Sequence, residues 1–247
     1  MKCLAIIPAR YQSSRFPGKP LAMIHGKTMI QLVIEKAKSA TLIDKVLVAT
    51  DDERIMNHVQ SIDCECIMTS SNHESGTDRC AEAAAFYPEY DIVINIQGDE
   101  PFIDPHQLDA LISYQINVQE CQIATMYYPI IASDSLFDPN VVKVVFGGNK
   151  ALYFSRNPIP FIRQDEQSKW INHAAHYKHI GIYGFKANAL AAITKLPKGR
   201  LEQLEMLEQL RWLESGYNID IIASTKESFG IDTPEDLAKI LTKEISF

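Results

Sequence analysis

The chain is 247 residues long, with 46% hydrophobic and 22% charged residues and a formal net charge of −7. That length and apolar content can bury one sizeable core and exclude a disordered segment. The acidic balance excludes a general nucleic-acid or membrane-surface binder, because both need an extended basic face.

In chain order, apolar runs at 3–7, 45–49, 64–68 and 92–96 read as buried strands. Between them Met29, Val33 and Ala37 share one helical face, Ile55 and Val59 another, and 77–87 is an alanine-rich third helix. This alternation is the pattern of parallel βαβ units, whose open sheet takes its ligand beyond the carboxyl ends of the strands. A strand over 122–128 precedes two β-rich runs around Gly147-Gly148-Asn149, a hairpin signal. Residues 156–178, with Pro158 and Pro160, read as a long excursion or lid before a strand at 179–185. Helices at 186–194 and 201–215 follow, the second with Leu204, Leu207 and Leu210 inward, then a strand at 218–223 and a helix from 234. The expected division is one domain over 1–247 with an inserted β subdomain at about 122–185. Five cysteines (Cys3, Cys64, Cys66, Cys80, Cys121) without a C-x-x-C pair fit a reducing compartment. The first apolar run stops at Pro8, too short for a signal peptide or a membrane span, so the expectation is a soluble cytoplasmic protein.

The opening segment carries Arg10, Arg15, Lys19 and Lys27, while no acid occurs among the first 34 residues. Gly18 permits close backbone approach and Pro17 and Pro20 stiffen the loop, so its cations could hold a triphosphate. The competing reading is a solvated loop whose cations pair with surface acids. "NIQGDEPFIDP" places Asp99 and Glu100 after a strand; Asp104 there reads as a helix N-cap before Pro105, which leaves Asp99 free as a possible Mg²⁺ ligand. "IDTPEDL" separates in the same way: Thr233 caps, Pro234 opens the helix, Asp236 completes a capping box, and Asp232 is left over. "SGTDR" offers Ser75, Gly76, Thr77 and Arg79 at a helix start that suits an anion or a nucleotide hydroxyl, with a plain cap as the alternative. Asp51 and Asp52 read as capping and first-turn charge. His173, His176 and His179 do not converge in a regular helix or strand, which disfavours zinc, and Glu202, Glu205 and Glu208 read as the wet side of a helix.

Taken together, "IPARYQSSRFPGKP", "SGTDR", "NIQGDEP", "ALYFSR", "HIGIYGF", "LEMLEQLRWLE" and "IDTPEDL", in that order, make the chain resemble the 3-deoxy-manno-octulosonate (Kdo) cytidylyltransferases of Gram-negative bacteria. The resemblance implies an α/β, Rossmann-like nucleotidyltransferase fold with a mixed, mostly parallel sheet. It implies transfer of CMP from CTP to the anomeric hydroxyl of Kdo for lipopolysaccharide synthesis, with Mg²⁺ as cofactor and a homodimer formed through the β subdomain. By matching motifs, Arg10, Arg15 and Lys19 would hold the phosphates, Ser75, Gly76, Thr77, Arg79 and Gln97 would surround the nucleotide, and Asp99 and Asp232 would bind metal. Lys19, Arg10, Asp99 and Asp232 would form the catalytic set. Arg156, His179, Tyr183, Glu208 and Gln209 would face the sugar, which moves Glu208 off the wet side. A cytidylyltransferase for sialic acid or an amino-Kdo is the nearest alternative, and "HIGIYGF" and "EMLEQLR" favour Kdo over sialic acid. A non-catalytic nucleotide-sensing module is the alternative from another class, disfavoured by the paired carboxylates.

Overall fold

The computed structural model describes residues 1–13, 15–228 and 230–242. Strand β1 (Cys3–Ala9) runs through a 3-10 turn (Lys19–Leu21) and the short strands β2 (Met23–Ile24) and β3 (Lys27–Thr28) into helix α1 (Met29–Lys38). Next come β4 (Lys45–Thr50), α2 (Glu53–Ser61), β5 (Glu65–Met68), α3 (Gly76–Ala84), β6 (Ile92–Asn95) and α4 (Pro105–Asn117). The second half holds β7 (Ile123–Pro129), α5 (Ser133–Phe137), the hairpin β8 (Lys143–Gly147) and β9 (Lys150–Ser155), and, after a 3-10 stretch at Gln167–His173, β10 (Tyr177–Lys186). Helices α6 (Ala187–Ile193), α7 (Arg200–Glu205) and α8 (Gln209–Glu214), strand β11 (Ile219–Ala223) and α9 (Pro234–Leu241) complete the order.

The nine-stranded sheet has the order β5-β4-β1-β6-β10-β7-β11-β9-β8. Its first four strands are parallel, whereas β10 enters antiparallel between β6 and β7. Residues 122–185 supply β7 to β10, which continue the same sheet with the β8–β9 hairpin at its far end. Strict alternation along β1 explains the layering: Cys3, Ala5 and Ile7 face one core with Ile30, Val33, Ile55 and Leu108 of α1, α2 and α4. Leu4 and Ile6 face the other, with Cys80 of α3, Leu190 of α6 and Trp212 of α8. Each such fully buried Leu or Ile contributes roughly 1.5–3 kcal/mol. The chain fills β4 and β5 on one side of β1 and then returns to its other side with β6. The switch point therefore falls between the loops that follow β1 and β6.

Several expectations need correction. The helix expected over 201–215 is two short helices, because Met206 adopts φ 53 and closes α7 in the left-handed region. That break turns Leu204 outward to 71% exposure instead of inward, and brings Glu202 inside, where its carboxylate accepts from Arg211 Nε at 2.8 Å and Nη2 at 2.5 Å. Glu205 is also not a solvent-facing acid; it accepts from Ser155 Oγ (2.7 Å) and Arg156 N (2.9 Å). In the excursion at 156–178, Trp170 packs with Ile130 and Leu136 in a small core of its own. All five cysteines are buried and free, and burial pushes the Cys66 and Cys121 thiols up to about 12, so neither offers a thiolate near neutrality. Among the described residues no helix is long and apolar enough to cross a membrane.

Candidate active site

The basic loop is shaped by its own backbone. Gly18 N donates to Tyr11 O at 2.8 Å, and Gly18 at φ +72 starts the 3-10 turn; a Cβ there would lie 3.1 Å from the Tyr11 ring. This turn aims Lys19 across the switch point. Its Nζ lies 2.5 Å from Asp99 Oδ2 and 3.3 Å from Asp232 Oδ1, and Arg15 Nη1 lies 3.4 Å from Asp232 Oδ2. Two carboxylates separated by 133 positions thus share one ammonium. Lys27 behaves differently and pairs with Glu35 at 2.6 Å, the surface pairing expected of a solvated cation.

Asp99 reaches this position because β6 ends at Asn95 and Gly98 lets the chain pass close to β1: a Cβ on Gly98 would lie 3.0 Å from Pro8 O. Asp104 caps α4 with Gln107 in a capping box, and Thr233 caps α9 with Asp236, as their sequence pattern predicts. Asp232 is thereby left outside the cap. Its neighbour Ile231 donates its N–H to Asp99 O at 2.9 Å, which ties the two acidic loops together.

A chamber at this point is lined by Arg10, Arg15, Lys19, Ser75, Gly76, Arg79, Gln97, Asp99 and Asp232. Residues expected at the nucleotide and at the metal thus come together. Thr77 is the exception, 3% exposed behind the wall. The Ser75 and Thr77 hydroxyls donate to the two oxygens of Glu208, at 2.9 and 2.7 Å, while Ser75 Oγ also caps α3. Arg79 is buried and donates to Thr69 Oγ1 and Asp51 Oδ2. Asp51 is therefore the partner of Arg79 and not a cap, a duty that Asp52 performs.

A second chamber adjoins the first and shares Arg15 and Asp232 with it. Of the five residues expected at a sugar it is lined by His179 alone; Glu100, Asp138, Asn140 and Lys178, which sequence reasoning missed, also line it. Glu100 adjoins Asp99 and Lys178 adjoins His179, so adjacency was the available signal. Burial pushes the Glu100 carboxyl up to about 7, against the hydrogen bond that Ser228 donates to it at 2.8 Å. Packing also drives the His179 imidazole down to about 3, while its Nε2 lies 2.9 Å from the Thr125 hydroxyl. A bulge between Ile180 and Tyr183 re-aims this part of β10.

The remaining sugar candidates lie off that chamber. Arg156 Nε, Nη1 and Nη2 donate to the carbonyls of Glu205, Pro139 and Met206. Tyr183 is 7% exposed, its hydroxyl buried without a hydrogen-bond partner among the described residues, and Gln209 is 6% exposed. Burial raises the Glu208 carboxyl, opposed by the Thr77 and Ser75 hydroxyls. Among the histidines, His173 pairs with Asp165 and His176 bonds Pro160 O, so the three rings serve three different partners.

A Rossmann-like sheet whose switch point sets a basic loop against two carboxylates defines a nucleotidyltransferase. A profile of the cytidylyltransferase family matches residues 4–240. The 3-deoxy-manno-octulosonate cytidylyltransferase of Parabacteroides distasonis is 50% identical over 247 residues, covering 98% of this chain and 97% of its own. That of Thermodesulfovibrio yellowstonii is 50% identical over 245 residues, 96% of each. A solved CMP:2-keto-3-deoxy-manno-octonic acid synthetase complexed with CTP superposes with a TM-score of 0.90 at 41% identity, covering 98% of this chain and 97% of the other. A 4-diphosphocytidyl-2C-methyl-D-erythritol synthase from Anaerococcus prevotii shares the fold alone, at TM-score 0.61 and 13% identity over 97% and 95% of the two chains. The chain belongs to the 3-deoxy-manno-octulosonate cytidylyltransferases.

Proposed function

We propose that the chain transfers CMP from CTP to the anomeric hydroxyl of 3-deoxy-D-manno-octulosonate, releasing pyrophosphate. The observation that carries this reading is the pair of adjoining chambers that share Arg15 and Asp232, one of them basic and walled by Lys19 and Arg10. In the transfer the sugar hydroxyl oxygen bonds the α-phosphorus and gives up its proton to solvent, the bond to the bridging oxygen of the β-phosphate breaks, and that oxygen leaves with pyrophosphate. Arg10, Arg15 and Lys19 offset the charge that collects there and hold the triphosphate in line with the sugar hydroxyl. Ser75, Gly76, Arg79 and Gln97 supply the wall against which the nucleoside is held, with Thr77 and Glu208 fixing the start of α3 behind it. His179 and its neighbours in the second chamber are the groups offered to the sugar acid, with Arg156, Tyr183 and Gln209 supporting that end.

Asp99 and Asp232 would hold Mg²⁺. Both are oxygen donors that already converge on a single cation, the Lys19 ammonium, and a hard divalent ion accepts such a set with phosphate oxygens and water in its other positions. Bound there, the ion would supply Lewis-acid stabilisation of charge on the phosphoryl oxygens.

The same reading gives the protein a cytoplasmic place in lipopolysaccharide synthesis and a homodimeric form. Leu152 of β9 (64% exposed) and, beside the end of that strand, Met206 (75%) offer apolar surface at the hairpin end of the sheet for such a contact. Pyrophosphate release from CTP, Kdo and Mg²⁺ tests the activity: release that needs all three supports it, and release independent of the sugar acid overturns it.

A further inference from the structure

Between Ala223, the last residue of β11, and Thr233, the N-cap of α9, the described residues form no regular element, yet this segment carries Asp232. Something else must fix its path. Lys178 donates to Glu227 at 2.6 Å and to Ser228 O at 3.2 Å, which holds the middle of the segment against β10. At its beginning Ser224 N donates to Tyr127 O at 2.8 Å, and a buried amide holds the turn that follows. Gln107, 2% exposed in the first turn of α4, donates through Nε2 to Ser224 Oγ at 2.6 Å and to Lys226 O at 2.9 Å.

The other end of the same amide serves the other acidic loop. Gln107 Oε1 accepts from Asp104 N at 3.2 Å and closes the capping box that ends the 99–104 loop. Lys226 Nζ, 2.7 Å from Asp104 Oδ2, adds a further link at this end of the two loops, whose other ends are joined by Ile231 N to Asp99 O (2.9 Å) and Ser228 Oγ to Glu100 Oε2 (2.8 Å). Gln107 lines neither chamber. We propose that Gln107 is a positioning residue: its side-chain amide clasps the Asp99 loop to the Asp232 segment and so sets the relation of the two carboxylates. This rests on the reading of Asp99 and Asp232 as working groups of the transfer. A buried amide bonded at both ends has no solvent alternative when one bond is lost, so the clasp is either closed or costly.

Two substitutions separate its arms. Gln107→Met keeps length and burial and removes both arms. Gln107→Glu keeps an oxygen for Asp104 N, but sets a carboxylate against Lys226 O. The purified full chain would be assayed for pyrophosphate release in the wild-type background and in Asp232→Asn. Amide hydrogen exchange would be followed across residues 224–233 without ligand, and thermal unfolding would be recorded as the control for folding. The proposal expects both variants to lose turnover by roughly tenfold to a hundredfold, the effect of a small displacement at a reacting centre, with the KM for CTP changed less than about twofold. It also expects faster exchange across the segment in both, and a turnover loss that shrinks below about twofold in the Asp232→Asn background, because a residue acting through Asp232 has nothing left to act on. Wild-type turnover in Gln107→Glu would place the effect in the α4 cap and overturn the clasp, as would a loss undiminished by Asp232→Asn or unchanged exchange across the segment. Wild-type turnover in Asp232→Asn alone would overturn the reading of the carboxylates instead, and the exchange data would report separately whether Gln107 fastens the segment.

Discussion

Replacing Asp232 by Asn and its neighbour Thr233 by Ala separates a working carboxylate from a structural cap one residue away. Asp232 meets Lys19 at 3.3 Å and Arg15 at 3.4 Å with its side chain 46% exposed, so its pairs are screened and removing the charge changes stability by no more than about 0.5 kcal/mol. Turnover, in contrast, should fall on the order of 10²-fold or more, with a higher Mg²⁺ requirement, if Asp232 is one of the two carboxylates proposed to hold the ion at the reacting phosphate. Thr233 has the opposite profile. Its hydroxyl accepts from Asp236 N at 3.2 Å and lies 3.0 Å from Asp236 Oδ2, a capping box whose loss costs about 1 kcal/mol. For a chain of this size that is a fall in Tm of roughly 2–4 °C. Leu237 and Ile240 of α9 are only partly buried against Ile231, so the loosened helix should reach Asp232 weakly and lower turnover by less than about fivefold. Unfolding without ligand and pyrophosphate release over a Mg²⁺ titration measure both variants. Wild-type turnover of Asp232→Asn at low Mg²⁺, or a Thr233→Ala protein that loses turnover as deeply as Asp232→Asn, would refute the separation.

Lys19→Ala should lower turnover by about 10²-fold at saturating CTP while Tm stays nearly constant; an unimpaired rate would return the loop to a solvated role. Arg211→Met should destabilise by roughly 3 kcal/mol, since it leaves the Glu202 carboxylate buried without its partner, and a denaturation midpoint equal to wild type would contradict that. His179 sits near 3 in the folded protein against an ordinary 6.5, so its contribution to stability is full above pH 6.5 and is lost as pH falls towards 3. Because the half-buried ring lines a chamber, the loss at pH 5 should be roughly 1–2 kcal/mol, and His179→Gln should show a shallower decline in urea midpoint from pH 7 to 5; parallel profiles would count against it.

The parallel half of the fold was legible because β1, β4, β5 and β6 are uninterrupted apolar runs and their helices keep one clear face. The basic loop stood out because no acid precedes Glu35, and Asp99 and Asp232 stood out by elimination, since Asp104 and Thr233 had capping duties; the structure brings the three together. The sugar end was not. Periodicity carried a helix through Met206, whose left-handed backbone splits it, and that split decides that Leu204 is exposed and Glu202 buried. Glu100 and Lys178 were passed over because each stands beside a more conspicuous residue, and the second chamber that they line is assembled from segments far apart in the chain. Gln107 was invisible for a similar reason: its partners Ser224 and Lys226 are more than a hundred positions away.

On the proposed function, the two adjoining chambers join CTP to a Kdo-type sugar acid. Single-turnover release of pyrophosphate from α-³²P-labelled CTP, with the label followed into product, tests it most directly. One labelled CMP-sugar should form for each pyrophosphate released, only with Kdo and Mg²⁺ both present. Pyrophosphate released with the label recovered as free CMP, or at the same rate without Kdo, would contradict it.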